Sequence, residues 1–265
     1  MTSNSPTTPK SGSLERGLAI IELLALTPVP VTLSEIAKRT GLPNSVVHRL
    51  INKLIELGRV VREPNGMRYL ASPSALSPLN FQHPIVVLRE SCRTAITNLR
   101  NNTGETAAFV LFIGYERLVL EYALGNKKLA PNYHTWLKSP IHGSASGKIL
   151  LAAVDDSYFP DVLGLEPYPS HTDKTITERD VLRDEVIEVR NTGYSISIDE
   201  AYEGVSALGY TVKHDDKTIG AITLTVETSS IDEERQDYLI NELTRTLKEL
   251  RLYPSALKEI YDWLY

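Results

Sequence analysis

Between Thr32 and Gly58 the chain carries a helix start, a helix stop and a second helix start, so close together that only two short helices and a tight turn fit. Thr32 stands three residues before Glu35, the spacing at which each side chain satisfies the other's free backbone N–H. The helix begun there runs to Gly41, a residue suited to the left-handed conformation that follows a helix C-terminus. Pro43 sits where a first helical turn tolerates a missing N–H, and Val46, Val47, Leu50, Leu54 and Leu57 continue an apolar side up to Gly58. Upstream, Leu14, Leu18, Ile21, Leu24 and Ala25 define a one-sided helix from Ser13 to Leu26, which Pro28 and Pro30 end. Downstream, Arg59–Arg62 and Arg68–Ala71 read as two strands, with Asn65-Gly66 between them as the hairpin turn.

Three helices followed by a hairpin make a winged helix-turn-helix. With Val46, Val47, Leu50 and Leu54 turned to the core, Asn44, Ser45, His48, Arg49, Asn52 and Lys53 fall on the outer side of the second short helix. Arg and Asn can pair with base edges in a major groove, Ser and Lys can hold phosphates, and Arg62 and Arg68 on the wing can reach the backbone or the minor groove. Charge agrees with this: residues 1–80 carry nine Lys and Arg against five Glu, a net of +4, so with −5 for the whole chain the remainder carries −9. An acidic body with a basic head suits a protein that touches a polyanion at one end only. The plainer readings are a packing domain with a solvated charged face, and, for His48, an ordinary surface residue.

Ala71–Pro84 holds Pro73, Pro78 and Pro84, which mark a joint; the expected organisation is a disordered tail at 1–12, the winged domain at 13–72, a linker at 73–84 and a second domain at 85–265. That second domain opens on a helical pattern from Ile85 to Asn101, in which Cys92 is a buried apolar position. The period then changes: Ala107–Ile113 and Arg117–Ala123 pair about a turn, as do Val205–Lys213 and Thr218–Glu227. Helices are expected from about Ser144, over Glu178–Asn191, and over Ile231–Leu252. Hairpins with helices set apart from them indicate an α+β domain on an antiparallel sheet. One cysteine excludes an internal disulfide, and any metal site would have to come from six scattered histidines and carboxylates; none is expected, nor any cofactor. There is no apolar run of membrane-spanning length and no apolar leader, so the cytoplasm is the expected location.

The most suggestive stretch is HGSASGK, His142–Lys148. It is not a nucleotide loop, because three residues and not four separate Gly143 from Gly147, and Lys148 is followed by Ile149. A hydrolase of the Ser-Lys type, with Ser144 or Ser146 as nucleophile and Lys148 as base, is the alternative in enzyme chemistry, but neither the Gly-x-Ser-x-Gly nor the Ser-x-x-Lys spacing is present. What remains is a loop of small residues opening an apolar helix, where free N–H groups and the helix dipole favour a small anion such as a carboxylate. Close packing of helix on sheet would account for the small residues equally well. Tyr133, His134 and Trp136 lead into this loop and either wall a pocket, which would favour an aromatic or amphipathic acid, or lie on a surface.

The head, SLERGLAIIELLA followed by LSEIAKRTGLPNSVVHRLINKL, resembles the DNA-binding domain of the IclR family of bacterial transcriptional regulators. The body is similar as well, at TGET (Thr103–Thr106), SPIHGSASGKILLA (Ser139–Ala152) and GYSISIDEAYEGVSALGYTV (Gly193–Val212). The resemblance implies a winged helix-turn-helix and a linker helix, then a GAF-like domain that binds an effector and makes dimers or tetramers on palindromic operators. It implies that Ala145 and Ser146 touch the effector, with Asp199 opposite, and that Ala207, Thr223 and Thr225 complete the pocket; some members have cysteine at the first of these three and serine at the others. An Asp199 carboxylate would repel an acid unless a donor intervenes, so an effector carrying a donor group is preferred.

Overall fold

The computed structural model describes residues 12–63, 66–76, 81–130 and 136–265. Most of the expected tail, Asn65 of the hairpin turn, Pro78, Tyr133 and His134 lie outside the described residues. The chain divides into two compact units, Met1–Asn80 and Phe81–Tyr265.

The first unit contains α1 (Ser13–Ala25), β1 (Val31–Thr32), α2 (Leu33–Thr40), α3 (Asn44–Glu56), β2 (Val60–Arg62), β3 (Arg68–Ala71) and the single turn α4 (Pro73–Leu76). The Thr32 cap forms reciprocally: the Glu35 amide donates to Thr32 Oγ1 at 3.3 Å, and the Thr32 amide to Glu35 Oε2 at 2.7 Å. Gly41 ends α2 at φ +68°, where a side chain would be strained. Beyond it, Pro43 precedes α3 as its cap and is not inside its first turn. β1 pairs with β3 and gives the wing a third strand, in the order β1-β3-β2, which the sequence does not announce because two residues show no period.

The apolar face of α3 is rotated from the expected one. Val47, Ile51 and Leu54 are buried with Ile20, Leu24, Ile36 and Tyr69, whereas Val46 and Leu50 are half-buried and Leu57 is 60% exposed. The spacing of Val46, Val47 and Leu50 permits either face, and the position of α1 and β3 selects the one centred on Ile51.

The second unit is a five-stranded antiparallel sheet in the order β5-β4-β8-β7-β6. Its strands are β4 (Thr106–Ile113), β5 (Glu116–Ala123), β6 (Tyr194–Tyr202), β7 (Val205–His214) and β8 (Lys217–Glu227). β6 was not expected as a strand, and it forms the edge beyond β7. Helices cover both faces: α5 (Pro84–Thr103), α9 (Glu233–Leu250) and α10 (Pro254–Leu264) on one, α6 (Ala145–Ala152), α7 (Phe159–Leu163) and α8 (Arg179–Thr192) on the other. α9 stops at Leu250, because Pro254 opens α10, a separate helix that buries Ala256, Leu257 and Ile260.

Burial on two faces explains the unbroken apolar run of β4. Phe109 and Leu111 pack under α5 and α9, while Val110 and Phe112 pack under α6. Each such side chain, removed from water, contributes roughly 1.5–3 kcal/mol. On β8 the same alternation sends Ile222, Leu224 and Val226 to the α5 side, and leaves Ala221, Thr223 and Thr225 to the α6 side.

Candidate functional site

On the α6 side, small residues line up across three strands. Ser197 on β6 stands opposite Ala207 on β7, which stands opposite Thr225 on β8; Gly209 and Thr223 form the next pair along. Such short side chains leave a depression in the sheet, and the start of α6 roofs it. The result is a cavity of about 50 Å³, with Ala145, Ser146, Ala207, Thr223 and Thr225 among its walls. These five residues, far apart in the chain, therefore share one cavity. Ser139, Ser144, Ser197, Tyr202 and Ser206 join them, none of which the sequence reading had placed in the pocket.

α6 begins without a side-chain cap. Ser144, at the capping position, donates instead to the Pro140 carbonyl at 2.6 Å and caps none of the first N–H groups, which like those of any helix have no intrahelical acceptor; Ser144, Ala145 and Ser146 line the cavity. Gly147 explains how α6 can lie so deep. A Cβ at that position would sit 2.0 Å from the Ile141 carbonyl oxygen, so only glycine permits this approach. Some of the small residues thus permit close packing, and others line a cavity.

Arg117, at the start of β5, is 3% exposed. Its Nη1 donates to Ser144 Oγ at 2.7 Å, Ser146 Oγ at 3.2 Å and Ser139 Oγ at 3.5 Å, and its Nη2 to the Ser139 carbonyl. Burial pushes its pKa down to about 10, against the opposing pull of Glu116 and Tyr202, and it remains charged at neutral pH. Sequence reasoning missed it: an Arg after Glu116 at a strand end reads as an ordinary exposed residue.

Lys148 is equally buried but differently employed. Its Nζ donates to Glu200 Oε1 at 2.7 Å, to the Ile196 carbonyl at 3.2 Å and to Glu185 Oε2 at 3.2 Å. Burial raises the Glu200 carboxyl above its ordinary pKa, with Lys148 pulling the other way. The Ser-Lys alternative fails on this geometry, since Ser146 answers to Arg117 and the Lys148 ammonium is held by carboxylates.

Two expected pocket residues are not brought to the wall. Asp199 has a left-handed backbone (φ +56°), accepts from Thr228 Oγ1 at 2.5 Å, and connects to cavity residue Ser206 only through Thr228, 2.8 Å away. It lies within the register shift between Ile198 and Tyr202. Trp136 makes an isolated bridge with Leu118 and is 39% exposed, which leaves it on the surface. Among the described residues no group of three His, Cys, Asp or Glu is placed to hold a metal ion, and no helix is long and apolar enough to cross a membrane.

In the first unit, Asn44, Ser45, His48, Arg49 and Lys53 are all exposed on α3, and Arg62 and Arg68 are exposed on the wing. The expected polar side survives the rotation of the core face because it is wide. Three of these residues have local partners: His48 Nδ1 lies 3.5 Å from Asn52 Nδ2, Lys53 pairs with Glu56 at 2.9 Å, and Arg62 Nε donates to the Gly66 carbonyl at 3.2 Å.

Residues 13–64 match the IclR helix-turn-helix domain, and residues 85–251 match the family described as the bacterial transcriptional regulator IclR C-terminal domain. The transcriptional repressor IclR of Escherichia coli (strain K12) is 24% identical over 267 residues, 96% of this chain and 93% of that protein. The HTH-type transcriptional regulator XynR of the same organism is 25% identical over 222 residues, 83% of this chain and 88% of its own length. Among solved structures, the Thermotoga maritima IclR superposes with a TM-score of 0.75 at 21% identity, covering 91% of this chain and 98% of that one. An IclR homolog from Microbacterium hydrocarbonoxydans, solved in complex with 4-hydroxybenzoate, superposes with a TM-score of 0.74 at 19% identity over 91% and 100% of the two chains. These relatives are regulators and not enzymes, and with both of its domains matched the chain belongs to the IclR family of bacterial transcriptional regulators.

Proposed function

We propose that this regulator captures a small organic acid in the cavity under α6 and that the capture changes its grip on operator DNA. The observation that carries the reading is the uncapped start of α6, whose Ser144, Ala145 and Ser146 line a cavity of hydroxyls: free N–H groups and the positive end of the helix dipole suit an anion. Size narrows the choice. At roughly 10–15 Å³ for each water, about 50 Å³ holds only a few heavy atoms. A short aliphatic acid fits better than an aromatic one such as the 4-hydroxybenzoate bound by the Microbacterium homolog. Asp199, which the resemblance assigns to the effector, would act through Thr228 and Ser206, and Trp136, exposed outside the lining, would not touch the effector.

On the DNA side, Asn44, Ser45, His48 and Arg49 would read base edges while Lys53, Arg62 and Arg68 hold phosphates. Two heads in a homodimer or homotetramer would occupy the half-sites of a palindrome about 34 Å apart, or a multiple of that. The effector acts only as far as it favours one arrangement of the heads over another. The cytoplasm, where both operator and metabolite are found, is the corresponding location.

A gel-shift assay on the intergenic DNA beside the protein's own gene, repeated across a panel of small acids, tests this. Promoter-specific binding that responds to an acid, with the response lost in Ser146→Trp, is the expected result. Binding indifferent to DNA sequence at modest salt would overturn it.

A further inference from the structure

The cavity's charge environment is one-sided. Among the described residues no Asp or Glu lines it. The two nearby carboxylates on β6 are engaged elsewhere, Glu200 by Lys148 and Asp199 by Thr228. Arg117, by contrast, is buried beneath three serines, Ser139, Ser144 and Ser146, all of which line the cavity. None of the ion pairs among the described residues involves Arg117. A guanidinium removed from water whose hydrogen-bond partners are all neutral oxygens, with Glu116 acting on it only through space, is under-compensated, so an anion entering beside it is favoured.

The hydroxyls offer a route for that charge. Ser144 accepts from Arg117 and donates its own hydroxyl hydrogen bond to the Pro140 carbonyl. Ser146 accepts from Arg117, but its proton has no acceptor among the described residues. It is therefore a donor polarised by a cation and placed on the cavity wall, next to the uncapped N–H groups of α6.

We infer that Arg117 is the specificity-determining charge of this cavity: held against the Ser139, Ser144 and Ser146 hydroxyls, it selects a small aliphatic monocarboxylate over a neutral molecule of the same shape. This rests on the proposed effector site and adds to it the residue that reads the ligand's charge. The carboxylate accepts from Ser146 Oγ–H and the α6 amides, and Arg117 supplies the compensating charge from behind. The apolar part of the ligand lies against Ala145, Ala207 and the methyl groups of Thr223 and Thr225.

The test is calorimetric titration of the full chain with propionate and lactate, each matched to its amide, propionamide or lactamide. Wild type is expected to bind the acids at least tenfold more tightly than the amides, since a charge-assisted bond is about twice as strong as a neutral one. Arg117→Gln is expected to erase that preference, and Arg117→Lys to restore part of it. A merely structural tie between β5 and the α6 loop would lower the melting temperature of Arg117→Gln but leave the acid-to-amide ratio unchanged, and that result would overturn the inference. If Arg117→Gln does not fold by circular dichroism, Ser146→Ala carries the same test, with a reduced ratio expected. A wild-type chain that binds none of the four probes, or binds acid and amide alike, also overturns it. The regulator reading stands or falls separately, on the promoter-specific gel shift.

Discussion

Lys148 on α6 and Glu200 on β6, 52 residues apart, meet as an ion pair with Nζ 2.7 Å from Oε1 and almost no exposure on either side chain. The pair pins the helix that roofs the cavity to the strand at its edge. Breaking such a pair leaves a charge buried without its partner. Glu200→Gln is therefore expected to destabilise the second unit by about 3–5 kcal/mol, eased by the half-exposed Glu185. The double variant Lys148→Met/Glu200→Gln should recover much of this loss. Urea unfolding of the two variants measures it, and equal stabilities for Glu200→Gln and wild type would refute the role of the pair.

Gly147 meets the Ile141 carbonyl more closely than any side chain allows. Gly147→Ala must push α6 away from that backbone, at a cost of about 1–3 kcal/mol and with a distorted cavity. Thermal melting should fall by several degrees, and binding of any small acid should weaken with it. An alanine variant with wild-type melting would mean that α6 can shift freely.

Arg49 is exposed in the middle of α3 and has no ion-pair partner among the described residues. Arg49→Ala should weaken operator binding by about 1–3 kcal/mol and relax preference at one base position, as loss of a base-edge contact does. Effector binding should not change. Fluorescence anisotropy on operator variants distinguishes this from loss of a phosphate contact, which weakens all sequences alike.

Asp156 accepts from Arg190 at 2.7 Å and from Arg183 at 2.8 Å, and the Arg190 hydrogen bond, first among several causes, holds its pKa below the ordinary 3.8. A carboxylate with a depressed folded-state pKa contributes stability that is present above its unfolded value and lost as the pH falls through the folded one. Asp156→Asn should therefore cost about 0.5–1 kcal/mol at neutral pH, a modest figure because both arginines are partly in water. The difference from wild type should shrink below about pH 4. Denaturation at several pH values checks this, and a gap that widens on acidification would count against it.

Much of the first unit was legible because its signals are local. The Thr32–Glu35 cap, the Gly41 stop and the strand Arg68–Ala71 each depend on residues a few positions apart, and all three form as read. Rotation of the α3 core face onto Ile51 was not legible, since the apolar spacing admits two faces and packing against α1 decides between them. In the second unit, the α6 loop was singled out by its residue types and the β8 threonines by the family resemblance, whereas Arg117 and the edge strand β6 were not found. An arginine on a strand gives no sign that three serines from a later loop will enclose it.

By itself the sequence determined the kinds of element and their order, because hydrophobic period, caps and turn residues act over a few bonds: helices and a wing first, then antiparallel strands with helices apart from them. Which buried charges meet was left to the tertiary structure. Lys148 finds Glu200, and Arg117 finds serine hydroxyls and no ion-pair partner among the described residues, only because antiparallel pairing brings β6, β7 and β8 into register beneath α6. Electrostatic pairing depends on distance through space, and distance through space is what the order of residues along the chain does not specify.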